Sequence, residues 1–156
     1  MTAPALGGRL QEGVHTLDLR VYYEDTDFSG LVYHASYLRF LERGRTEWLR
    51  ALGVGQRDLH EGAEQAAFVV RRMEIDWLRP ARMDDVIRVE TRATALSGAS
   101  ATLAQRVLRD DVSLVEAQVR IAVVAGGRPR RLPEAARARI AATTPSATRD
   151  SASVSR

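Results

Sequence analysis

Between Thr16 and Tyr22 the apolar residues Leu17, Leu19 and Val21 alternate with Asp18, Arg20 and Tyr22, the period of two that belongs to a half-buried strand. The pattern then changes. From Ala35 to Leu52, Tyr37, Leu38, Leu41, Gly44, Trp48 and Leu52 recur at three- and four-residue steps, while Arg39, Glu42, Arg43, Glu47 and Arg50 fill most of the remainder, which predicts one long amphipathic helix. Gly53 supplies its stop by accepting the left-handed conformation common just past a helix end. Gly44 sits inside it at a cost of about 1 kcal/mol relative to Ala, which implies that another backbone approaches there.

A loop with room for a helical turn follows, through Gly55 to Ala66. Phe68–Leu78 again alternates, with Met73, Ile75 and Trp77 set against Arg72, Glu74 and Asp76, until Pro80 ends the strand. Three more strand-like runs, Asp85–Ala95, Ser100–Arg109 and Ser113–Val124, are separated by connections short enough for hairpins. The expected order is strand, long helix and four strands, the last three an antiparallel meander. One helix cannot cover every edge of such a sheet, so pairing of two chains through a strand edge is expected. Pro133 opens a short helix over Glu134–Ile140, and the polar segment from Thr143 onward is expected to be disordered. Trp48, Met73 and Trp77 read as core.

Composition narrows the chemistry. A chain of 156 residues can bury a core unaided. It has no cysteine, which excludes thiolate nucleophiles, disulfides and cysteine-ligated metals. Its three histidines, His15, His34 and His60, lack metal-site spacing, so no metal is expected. No stretch has the length of a membrane span or the apolar core of a secretion signal, so a cytoplasmic protein without stable membrane insertion is expected. A net charge of +3 does not imply nucleic-acid binding. The densest basic run is Gly127-Arg128-Pro129-Arg130-Arg131, whose guanidinium forks suit phosphate and whose ordinary fate is a solvated surface. Dinucleotide, P-loop and serine-hydrolase motifs are absent from the sequence.

The distinctive stretch is Tyr22-Tyr-Glu-Asp-Thr-Asp-Phe-Ser-Gly-Leu-Val-Tyr-His-Ala-Ser-Tyr37, which joins a carboxylate cluster to a helix start. Unsatisfied N–H groups and the positive end of the macrodipole favour an anion or a polarised carbonyl there. Asp27 can attack an acyl carbon or deprotonate a water, and His34 can bond substrate or move a proton near neutral pH. Gly30 lets the chain turn and a ligand approach, and Tyr33 adjoins them as a substrate-binding position. The plainer reading is also open: Asp27 or Ser29 caps the helix, His34 is structural, and Tyr33 and Tyr37 pack with wet hydroxyls. Glu24 and Asp25 read as solvated or paired with arginine.

The run YYEDTDFSGLVYHASYLRFLERGRTEWLRALG resembles the opening motif of acyl-CoA thioesterases of the 4-hydroxybenzoyl-CoA thioesterase family, most closely its bacterial branch associated with the Tol-Pal envelope system. FVVRRMEIDWLRPARMDD resembles that branch's second strand and the following turn, and the likeness extends from Val14 to Pro133. The resemblance implies a hot-dog fold of class α+β: an antiparallel sheet of about five strands wrapped around one long helix. It also implies a homodimer or homotetramer with the site at an interface. The domain would then span 14–133, with an N-terminal extension over 1–13 and a short helix and tail over 134–156. Carried over, the family's catalytic aspartate falls on Asp27 and its histidine on His34, whose backbone N–H polarises the thioester carbonyl. Arg128 and Arg130 are the candidates for the CoA nucleotide. Phe28 is bulky where the family often has a small residue or proline, which bears on acyl preference.

The expected activity is therefore cofactor-free hydrolysis of short or medium acyl-CoA, or of aryl-CoA, with acyl carrier protein as a second possible carrier. The alternative is a catalytically weak protein that binds acyl carrier protein or an envelope-system partner. A hot-dog dehydratase stands third, because the histidine-rich motif it requires is missing.

Overall fold

A computed structural model describes residues 6–62 and 65–145. The expected disorder of the tail concerns, from residue 146 on, positions outside the described residues. Seven strands form one antiparallel sheet: β1 (Arg9–Gln11), β2 (Val14–Arg20), β3 (Ala67–Trp77), β4 (Val86–Leu96), β5 (Ser100–Arg109), β6 (Val112–Ala125) and β7 (Arg128–Arg130). Three helices accompany them: α1 (Ser36–Ala51), α2 (Gln56–Glu61) and α3 (Glu134–Thr143). The sheet order is β1-β2-β4-β5-β6-β3, with β7 pairing with β6 beyond the end of β5.

The five long strands are those the alternation predicts, and β4-β5-β6 is the expected meander. The two strands added to the expected five, β1 and β7, are three residues each, too short for alternation to register. Helix α3 continues to Thr143 rather than ending at Ile140, and the hydroxyls of Thr143 and Thr144 donate to the Ile140 carbonyl, closing its last turn.

Helix α1 lies across the sheet with Tyr37, Phe40, Leu41, Trp48 and Leu49 buried against strand residues including Ile87, Val89, Leu103 and Val119. Gly44 is what allows the approach. A Cβ there would stand 2.6 Å from Val89 Cγ1 and 3.0 Å from Thr91 Oγ1, so side chains of the sheet, rather than another backbone, demand the glycine. Beyond Leu52, Gly53 takes φ +75°, the left-handed stop.

Strand β3 is the long unpartnered edge of the sheet among the described residues, since β6 alone pairs with it. A bulge at Arg71, between the Val70–Ile121 and Arg72–Arg120 pairs, switches the parity of the strand. Phe68 before it and Met73 and Ile75 after it therefore pack on the same core.

Candidate active site

After β2 the chain makes a one-turn 3-10 helix at Tyr23–Asp25, then a tight excursion closed by an antiparallel bridge between Thr26 and Val32. Within it the Asp27 N–H donates to the Leu31 carbonyl (2.8 Å) and the Gly30 N–H to the Asp27 carbonyl (3.0 Å), with Gly30 at φ +79°. The Asp27 carboxylate accepts the Ser29 N–H at 2.9 Å and the Ser29 hydroxyl. It does not cap α1, whose N-cap is Ala35 with no side-chain bond. The capping reading is thereby set aside. Asp27 is solvent-exposed, and the Ser29 hydroxyl and then the Ser29 N–H hold its carboxyl below the usual value of 3.8. At neutral pH it is a carboxylate with one oxygen engaged by Ser29.

Asp25 is the anchor that sequence reading undervalued. Buried, it accepts the Tyr22 N–H at 2.9 Å and pairs with Arg39 of α1 at 3.3 Å, the second of the two alternatives, solvation or arginine pairing, that the sequence left open. Its carbonyl accepts the Tyr33 N–H (2.9 Å) and the Ser36 hydroxyl (3.0 Å), tying the acidic turn to the head of the helix. The other side is braced by the segment after β3. Val32 donates to the Ala81 carbonyl at 2.9 Å, and the Ala81 N–H donates to the Tyr37 hydroxyl at 2.8 Å. That hydroxyl is buried rather than wet, because Tyr37 points into the core.

His34 is exposed at the start of α1, its ring 4.5 Å from that of Tyr33 and edge-on to Trp77 at 5.8 Å. The Trp77 indole N–H donates to the His34 carbonyl at 3.1 Å. Trp77 is thus no core residue: it is 45% exposed, because β3 ends at the sheet's free edge beside the helix start. His34 lines a cavity of about 220 Å³ together with Val32, Tyr37, Trp77, Leu78, Arg79 and Pro80, whereas Asp27 is not among its lining residues. Among the described residues the backbone N–H groups of His34 and Ala35 have no protein acceptor. Asp27 lies inside the loop that the Thr26–Val32 bridge closes, His34 lies two residues beyond the bridge, and the two share no hydrogen bond.

Arg128 and Arg130 stand apart. Trp77 pairs with Val115 near one end of β6, whereas Arg128 and Arg130 pair with Ala125 and Val123 at the other. Eight to ten residues at about 3.3 Å each separate them from the helix start by roughly 26–33 Å within one chain.

Comparison with known proteins bears on this geometry. Residues 29–116 match the model of the Thioesterase superfamily. The chain is 46% identical over 110 residues to the acyl-CoA thioesterase YbgC of Haemophilus influenzae, covering 70% of this chain and 80% of that protein. It is 44% identical over 119 residues to the acyl-CoA thioester hydrolase YbgC of Escherichia coli O6:H1, covering 74% and 87%. The crystal structure of a probable thioesterase from Bartonella henselae superposes with a TM-score of 0.75 at 47% identity, covering 77% of this chain and 99% of that one.

Proposed function

Since the chain belongs to the Thioesterase superfamily and its sheet and helix form the hot-dog fold, we propose that it hydrolyses acyl-CoA thioesters at the start of α1, with Asp27 and His34 as its catalytic residues. The observation that supports the reading is an ionised Asp27 in the bridged turn that leads directly into unclaimed N–H groups at the head of α1. The thioester carbonyl oxygen accepts the His34 N–H, which stabilises the negative charge that develops there during attack. Asp27 either takes the proton of an attacking water, the C–S bond breaking to give free acid and thiolate, or attacks directly, expelling thiolate to leave a mixed anhydride that water then hydrolyses to the free acid and the restored carboxylate. Thiolate needs little protonation to depart, which suits a site with one carboxylate and one imidazole. Gly30 presents no side chain on the approach, and Tyr33 lies against His34 where the acyl or pantetheine portion passes.

The free β3 edge supports a homodimer. Antiparallel two-fold pairing of this edge sets the Trp77 end of one copy beside the Ala67 end of the other. The Arg128–Arg130 end of the sheet, remote within one chain, then reaches the site in trans, where it is proposed to hold the phosphates of CoA. The test is thiol release, followed with a disulfide dye, from short-chain, long-chain and benzoyl-CoA and from acyl carrier protein thioesters. A cysteine-free chain adds no background. Release from at least one class is expected. Silence across the panel, with retention of an acylated carrier protein, would replace the enzyme with a binding protein.

A further inference from the structure

Asp85, in the turn before β4, is not among the residues lining the His34 cavity, yet it holds the segment that braces the candidate site. One of its oxygens, Oδ2, accepts both the Arg82 N–H and Nη1 of Arg109 at the end of β5, each at 2.8 Å. Arg109 Nη1 also donates to the Pro80 carbonyl at 3.3 Å, so the ion pair grips Pro80–Arg82 at both ends. Between those ends lies Ala81, fully buried, whose two backbone groups reach different parts of the site. Its N–H donates to the Tyr37 hydroxyl at 2.8 Å, about one turn along from His34, and its carbonyl accepts the Val32 N–H at 2.9 Å. Arg82 forms a bridge with Leu31, whose carbonyl in turn accepts the Asp27 N–H at 2.8 Å. Pro80–Arg82 is thus bonded to the head of α1 on one side and to the Asp27 loop on the other.

We propose that Asp85 and Arg109 are positioning residues for thioester hydrolysis: through Pro80–Arg82 they fix where the Asp27 carboxylate stands relative to the His34 N–H. The proposal rests on the reading of Asp27 and His34 as catalytic residues. The side chains of Asp85 and Arg109 are 25% and 35% exposed, and an ion pair that open to water adds little to global stability. Its effect on geometry is the larger one, because displacing a reacting group by about 1 Å can cost about a hundredfold in rate. A merely structural pair would lose activity only as the folded fraction falls. A positioning pair loses turnover in a protein that is still folded.

Arg109→Met and Asp85→Ala each release the grip. Asp85→Asn keeps it, since both donors share a single oxygen that the asparagine carbonyl replaces. With hexanoyl-CoA and benzoyl-CoA as substrates, the first two variants are expected to lower kcat by about tenfold or more with KM within about threefold of wild type, at a urea midpoint close to wild type. Asp85→Asn is expected to recover most of kcat. Should one of the two releasing variants not fold, the other decides. Wild-type kcat, a loss that follows a lowered urea midpoint, failure of both to fold, or no rescue by Asp85→Asn would overturn the proposal. Backbone amide NMR of wild type and a folded releasing variant separates this outcome from the thioesterase reading. If wild type hydrolyses no thioester that reading fails, yet shifts at both Asp27 and His34, with the β4–β5 turn at Ser97 and Gly98 unmoved, still uphold the coupling through Pro80–Arg82. Amides that stay in place at either residue remove it.

Discussion

Ser29 strengthens the preference of Asp27 for its ionised state. The Ser29 hydroxyl and N–H both donate to one carboxylate oxygen, and donation to the charged form lowers a carboxyl's pKa. Because attack or proton abstraction requires the carboxylate, the acid limb of kcat/KM should fall at a lower pH than an unperturbed aspartate would give. Ser29→Ala removes the larger of the two donors, so the acid limb of the pH–rate profile should move to higher pH while the plateau survives. A limb that stays in place would show that Asp27 is not the group being titrated. At this scale the sequence named the candidates and left their contacts unread. Asp27, Gly30, Tyr33 and His34 could be singled out from one contiguous stretch. The anchoring by Asp25 and the approach of Trp77 to His34 could not, because each depends on a partner brought in by the fold.

Helix α1 carries the candidate site at its head, and its depth in the sheet is set at Gly44. An added methyl would improve helix propensity by about 1 kcal/mol. It would also meet Val89 Cγ1 at 2.6 Å and Thr91 Oγ1 at 3.0 Å, and such overpacking typically costs about 1–3 kcal/mol. Gly44→Ala is therefore expected to be neutral to destabilising, by up to about 2 kcal/mol in urea unfolding, and to lower turnover by shifting the head of the helix. A gain in stability would mean that helix and sheet are less closely packed. The helix and the five long strands were readable from periodicity because each exceeds the length at which a period of 3.6 or 2 becomes visible. Strands β1 and β7 fall below that length, and the bulge at Arg71 is a matter of register with β6.

Across the whole molecule, a sheet that wraps one helix leaves an eleven-residue strand, β3, open along one side. Val69, Val70 and Trp77 are partly exposed along it, an arrangement that invites pairing and that a second copy would quench. Sedimentation should therefore give a multiple of the 17.3 kDa chain mass, with the dimer as the smallest unit. A monomer that releases thiol at full rate would separate catalysis from assembly and exclude a role in trans for Arg128 and Arg130. Their distance from the helix start was invisible to motif reading, which locates residues along the chain but not along the sheet. The account as a whole stands on the carboxylate at position 27, and its most direct test is thiol release by wild type and Asp27→Asn under identical conditions, with circular dichroism confirming the fold of both. We expect the variant to keep the fold and lose turnover by at least a hundredfold. An Asp27→Asn protein that hydrolyses acyl-CoA as fast as wild type would contradict the mechanism.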